Sequence, residues 1–231
     1  VLELGGNDPY VILDDANIDK AVEACIESRL VNTGQSCISA KRLIVTNKNI
    51  LLFTNKLIAT LKFKVIGDPY DDVDIGPLVS QNAREEVHGL VSESINLGAK
   101  AILGGKIPKT KGAYYPITVM TNVKPGMPAF DEEIFGPVFS IIQAENDQEA
   151  IRLANNSKYG LGAAVFTDDI KKGEMIANEK FEAGLCFVND YVKSDPRLPF
   201  GGVKMSGYGR ELSSYGLKEF VNIKTVVVKS K

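Results

Sequence analysis

The sequence predicts an α/β fold, a largely parallel β-sheet flanked by helices. Two observations lead there. Short apolar runs rich in branched residues alternate along the chain with longer stretches of helical period. Glycine- and proline-containing turns separate these segments, and no repeat, low-complexity tract or obvious linker divides the 231 residues. The expectation is one domain over residues 1–220, followed by a C-terminal strand over 221–231 that reaches elsewhere.

Each element has its own signal. Residues 1–6, Val-Leu-Glu-Leu-Gly-Gly, read as the end of a buried strand running into a glycine turn. That is an odd start for a natural domain, so the chain is expected to be part of a longer protein. Residues 10–13 form a short apolar strand, and the Asp-Asp-Ala-Asn that follows is rich in helix-capping side chains. Ile18, Val22, Cys25 and Ile26 then recur at helical spacing, with Gly34 as the stop. A strand is predicted at 43–45, helices at 50–63 and 81–96, and a strand at 101–103. The second half repeats the alternation: strands at 115–119 and 138–142, a helix at 149–154, a strand at 163–166, a helix at 172–178 and a strand at 184–188. Residues 196–209 form a loop dense in glycine and proline, before a last helix at 212–220 and a strand at 221–228. The apolar run Val226-Val227-Val228 is either an edge that pairs with another chain or an internal edge of the same sheet.

Composition narrows the function classes. Hydrophobic residues make up 44% and charged residues 24%, an ordinary globular mixture. The net charge of -2 and the scattered basic residues give no footprint for nucleic acid or an anionic membrane. No apolar run is long enough to span a bilayer. Three widely spaced cysteines, Cys25, Cys37 and Cys186, argue against a disulfide framework and for a reducing, cytoplasmic compartment. With one histidine, His88, and no CxxC, a zinc site has almost no ligands, so no metal is expected.

Two residues are candidates for chemistry. Cys37 sits among small and polar residues in Asn-Thr-Gly-Gln-Ser-Cys-Ile, just after a helix stop, where a thiol is reachable and the N–H groups of a turn can stabilise a thiolate. The alternative is a buried structural cysteine, the commoner fate of this residue type. Cys25 on the helical stripe and Cys186 in a strand read as core. Glu3 alternates with Leu2 and Leu4, and a carboxylate held beside apolar surface acquires the raised pKa of a base working near neutral pH. The alternative is a solvent-facing strand residue.

Together these segments resemble a known family. Residues 2–9, Leu-Glu-Leu-Gly-Gly-Asn-Asp-Pro, and 34–37, Gly-Gln-Ser-Cys, are similar to the two signatures of aldehyde dehydrogenases, at a matching spacing. Residues 132–138, Glu-Glu-Ile-Phe-Gly-Pro-Val, and 199–211, Pro-Phe-Gly-Gly-Val-Lys-Met-Ser-Gly-Tyr-Gly-Arg-Glu, look like two further motifs of that family, in the same order. The resemblance implies the family's catalytic domain, with residues 221–231 as an oligomerisation strand and the N-terminal, Rossmann-like NAD-binding domain absent from this stretch. It implies oxidation of an aldehyde to a carboxylic acid with NAD or NADP. Cys37 would be the nucleophile, forming a thiohemiacetal and then a thioester, and Glu3 the general base that activates the hydrolytic water. Glu133 would hold the nicotinamide ribose hydroxyls and Phe135 would pack near the nicotinamide, although on composition alone Phe135 reads as core packing before the Gly136-Pro137 turn.

The stretches at 35–42 and 192–202 look most like succinate-semialdehyde dehydrogenases. On that resemblance Ser194, Arg197 and Phe200 belong to the substrate-entrance loop, where Ser194 would donate a hydrogen bond to a distal carboxylate and Arg197 or Lys193 supply charge. Solvated loop charges are the other reading of those two cations. The implied partners are a small aldehyde and, for the full-length parent, further copies of itself. Two alternatives stay open: a cofactor-independent cysteine esterase, and a non-catalytic assembly fragment. The isolated chain is expected to be inactive as a dehydrogenase.

Overall fold

In a computed structural model describing residues 1–230, the elements alternate as the periodicity implies. Lys231, the end of the predicted C-terminal strand, lies outside the described residues. In chain order the elements are β1 (Leu2–Glu3), β2 (Pro9–Ile12), α1 (Ile18–Leu30), β3 (Arg42–Thr46), α2 (Ile50–Leu61), α3 (Gln81–Asn96), β4 (Lys100–Leu103), β5 (Thr118–Thr121), α4 (Pro128–Asp131) and β6 (Val138–Ala144). Then come α5 (Asp147–Asn155), β7 (Tyr159–Gly160), β8 (Gly162–Phe166), α6 (Ile170–Met175), β9 (Leu185–Val188), β10 (Val203–Lys204), β11 (Gly207–Tyr208) and α7 (Ser213–Glu219). No helix among the described residues is long and apolar enough to cross a membrane.

Seven strands form one sheet in the order β4-β5-β6-β3-β2-β8-β9. Every neighbouring pair is parallel except β4 with β5. Strands β2, β3 and β8 are buried along their whole length, because helices cover both faces and leave no side for water. Leu43 and Val45 point to the layer holding Val22, Cys25, Phe53 and Leu57, while Ile44 points to the opposite layer with Val87, Val91 and Phe130.

Helix α1 begins where the Asn17 side chain accepts from the Lys20 amide, an N-cap that satisfies one orphan donor. It ends at Leu30, ahead of Gly34. The chain then makes a single 3₁₀ turn, Val31–Gly34, with Asn32, Thr33 and Gly34 all at positive φ (49°, 60° and 77°). Two non-glycine residues in this sparsely allowed region are costly, and the surrounding contacts hold them there.

Four expectations are corrected. The strand predicted at 115–119 runs at Thr118–Thr121 instead, since Pro116 has no N–H to offer a ladder. The opening segment is not buried: Leu2 and Leu4 are exposed, and β1 pairs antiparallel with β11. The loop at 196–209 contains two short strands, with β10 pairing to β7. The stretch at 221–228 is not an internal edge of the sheet. Those residues have no ladder partner within the described chain, and Ile223, Val226, Val227 and Val228 are exposed.

Candidate active site

Parallel pairing brings separate loops to one edge of the sheet. β6, β3, β2 and β8 are consecutive neighbours, so the segments leading into them meet at their amino ends. Those segments carry Glu133 before β6, Cys37 and Lys41 before β3, and Glu3 and Asp8 before β2, while Gly162 opens β8. Open α/β sheets usually bind ligands at the carboxyl ends of their strands; here the predicted catalytic residues gather at the opposite edge.

Close backbone approach welds these loops. A Cβ on Gly34 would stand 2.3 Å from the Gly136 carbonyl oxygen, so the Cys37 loop lies directly on the Glu133–Phe135 loop. A Cβ on Gly6 would stand 2.6 Å from the Cys37 carbonyl oxygen. Only glycine allows these contacts.

Buried cations complete the frame. Arg29, fully buried on α1, donates from Nε to Val138 O (2.7 Å), from Nη1 to Ser39 Oγ (2.6 Å) and from Nη2 to Ile134 O (2.6 Å). Desolvation pulls its pKa down to about 9, with Glu133 opposing. Arg42 donates to Asn7 O, Leu153 O and Ala154 O and stacks over Phe130 at 5.2 Å. Lys41 Nζ donates to Ser36 O (2.9 Å) and Cys37 O (2.8 Å) and lies 3.3 Å from Glu133 Oε1. That same Oε1 accepts from the Gly6 amide at 3.1 Å. Asp8 is buried; its Oδ1 accepts from Gly162 N at 3.0 Å, and burial pushes its pKa up to about 6 against the pull of Lys41.

Each predicted residue can now be placed. Cys37 is half-buried, while Cys25 is fully buried in the core. The expected lowering of the Cys37 thiol by turn amides gives way to the reverse. Burial raises it first, Lys41 pulls it back, and Asp8, Glu133 and Glu3 add further upward pressure. Glu3 is exposed rather than packed on apolar surface, and its pKa is still raised, first by partial desolvation and then by the Glu211 carboxylate beside it. Glu3 and Glu211 share the wall of an open hollow of about 850 Å³ with Leu212, Leu217 and Phe220. Glu133 is largely buried at its side chain, and the Phe135 ring is 43% exposed, which excludes the core-packing reading of Phe135.

The entrance loop divides. Ser194 faces Ser36, Ile38 and Ser39, the neighbours of Cys37, across a cleft of about 210 Å³. Arg197 does not join it: the side chain is 85% exposed and bound to Asp195 by Nε (2.9 Å) and Nη2 (2.6 Å). Lys193 lines the cleft beside Ser194, with its ammonium paired to Asp190 at 2.6 Å. Phe200 is buried in the core layer against which Cys37 packs, and its backbone bonds Glu211 in both directions. Sequence reasoning missed Asp8, Arg29, Lys41 and Glu211. Arg29 carried a readable signal: it lies four residues after Cys25 on the apolar stripe, where a charge must be buried and paired.

A half-buried thiol whose flanking carbonyls are held by a buried lysine, with carboxylates nearby at one edge of a parallel sheet, defines a cysteine-centred site in an α/β protein. The chain belongs to the aldehyde dehydrogenase family, whose profile matches residues 1–226. It is 45% identical over 227 residues to the NAD(P)+ succinate semialdehyde dehydrogenase Sad of Escherichia coli K12, covering 98% of this chain and 49% of that relative. Among solved structures it is similar to Gox0499, with a TM-score of 0.95 and 42% identity over 98% of this chain and 50% of the other. It is also similar to betaine aldehyde dehydrogenase of Staphylococcus aureus, solved in complex with NAD+, with a TM-score of 0.90 and 37% identity over 94% and 44% of the two chains. The chain thus spans about half the length of the relatives it matches.

Proposed function

We propose that this chain supplies the nucleophile and base of an NAD- or NADP-dependent aldehyde dehydrogenase, with succinate semialdehyde as substrate. The observation that carries the reading is the convergence of Cys37, Glu3 and Glu133 on one strand edge within a family whose similar members include a succinate semialdehyde dehydrogenase. In this mechanism the Cys37 thiolate adds to the aldehyde carbon and forms a thiohemiacetal. A nicotinamide held by Glu133 and Phe135 would supply the acceptor for the hydride that leaves this carbon. The carbon is then held as a thioester on Cys37. Glu3 takes a proton from water, the resulting hydroxide attacks the thioester carbon, and the thiolate departs as the carboxylic acid forms.

The residues present fit the nicotinamide end of the cofactor. Gly6 N–H and Lys41 both bind Glu133 Oε1, which fixes the carboxylate and leaves Oε2 for ribose hydroxyls. Phe135 offers an open ring to a flat heterocycle. Ser194, across the cleft from the neighbours of Cys37, is the donor for the distal carboxylate of the substrate.

Stopped-flow absorbance of NADH tests this in a protein that carries the family's remaining half. Cys37→Ala is expected to abolish oxidation of succinate semialdehyde. Glu3→Gln is expected to release a burst of NADH and then stall, because hydride departs before the base is needed. Unchanged steady turnover in Glu3→Gln would remove Glu3 from the mechanism.

A further inference from the structure

We propose that Lys41 is the positioning residue of the Cys37 nucleophile: its buried ammonium pins the two peptide carbonyls on either side of the thiol and ties them to Glu133. The geometry carries this. Lys41 is 3% exposed. It donates to Ser36 O at 2.9 Å and Cys37 O at 2.8 Å and forms an ion pair with Glu133 Oε1 at 3.3 Å. An ammonium has no acceptor and is held here by two carbonyls and a carboxylate. The register of the sheet explains how the ammonium reaches the loop: the backbone amides of Lys41 and Arg42 both donate to Asp8 O as β3 starts beside β2.

The position has two consequences. The carbonyls of Ser36 and Cys37 bracket the nucleophile's own Cα, so fixing both fixes the direction of the thiol. The ammonium also lowers the pKa of a thiol that Asp8, Glu133 and Glu3 raise. The charged groups around Lys41 itself are Asp8, Glu133 and Arg29, the first two holding its proton on and Arg29 pushing it off. Removing the Lys41 charge leaves those carboxylates less opposed, and a thiolate at Cys37 is disfavoured. The inference rests on Cys37 being the nucleophile and adds the group that orients and charges it.

The test is the pH profile of Cys37 alkylation by iodoacetamide, followed by peptide mapping of the folded chain. In Lys41→Met the midpoint is expected to rise by about one pH unit or more, so that alkylation at pH 7.5 slows by about tenfold or more. At pH values above both midpoints the variant is expected to keep a lower limiting rate than the parent, because the Ser36 and Cys37 carbonyls are no longer held, whereas a loop loosened with the charge still in place lowers that rate without moving the midpoint. A midpoint identical to that of the parent overturns the proposal while leaving Cys37 as nucleophile. Failure of Cys37 to outpace Cys25 and Cys186 in the parent removes both readings.

A second measurement needs no substitution. In the parent chain labelled with ¹⁵N-lysine, blocking Cys37 by carbamidomethylation removes the thiolate that favours the ammonium. Because the interaction between two titrating groups is mutual, the Lys41 Nζ midpoint is expected to fall. An unmoved Lys41 resonance and midpoint overturn the proposal even where Lys41→Met does not fold.

Discussion

Cys37 and Cys186 are both half-buried, so access alone does not separate them. Their surroundings do. Burial, with Asp8 adding to it, pushes the Cys186 thiol up to about 11, and no cation relieves it. At Cys37 the Lys41 ammonium works against burial. Cys25 is fully enclosed and its thiol is raised by desolvation alone. We therefore expect iodoacetamide near pH 8 to label Cys37 first, Cys186 slowly and Cys25 last, the thiolate being the reactive form. Equal labelling of all three in the folded chain would contradict the assignment. At this scale the motif residues Cys37, Glu3, Glu133 and Phe135 were legible because each stands in a distinctive local string. The buried cations were not, because a charge in sequence reads as surface unless its helical phase is followed. Arg29 falls on the apolar stripe of α1, and Lys41 and Arg42 open a fully buried strand.

The Cys37 loop is built from a helix end, a left-handed turn and a strand start. Its critical contact is Gly34 at φ 77°, with its Cα facing the Gly136 carbonyl. Gly34→Ala adds a left-handed penalty of about 1–2 kcal/mol and an overpacking penalty of about 1–3 kcal/mol against backbone that has no rotamer to yield. Urea unfolding should show a loss of about 2–5 kcal/mol, and a loss below about 0.5 kcal/mol would mean the loops part easily. Gly34 was legible as a stop signal, but the contact across to Gly136 was not, since the two are joined only by the order of strands in the sheet. Periodic elements such as α3 were read to the residue, because apolar side chains at helical spacing have one way to face a core. The internal-edge reading of 221–228 fails for the opposite reason. Branched residues favour a strand only where a neighbour supplies the other half of the ladder.

At the scale of the whole molecule, alternation of strand and helix made the parallel sheet legible, while the strand order was not. Local composition does not say that β3 lies between β6 and β2. The groups proposed here to hold a cofactor, Glu133 and Phe135, reach only its nicotinamide end. Two contacts do not offset the rigid-body and ordering entropy lost on binding. This 231-residue chain by itself is accordingly expected to give no measurable NADH from succinate semialdehyde, with slow ester hydrolysis as the residual activity of a thiolate and water. Robust oxidation by the chain alone would overturn that argument. The contact between Gly34 and Gly136 has an evolutionary consequence as well. Because the two loops touch backbone to backbone, a substitution beside Phe135 that moves its backbone is expected to displace the thiol loop, and one beside Cys37 to displace Glu133. A sequence that changes one loop is then expected to need a compensating change in the other.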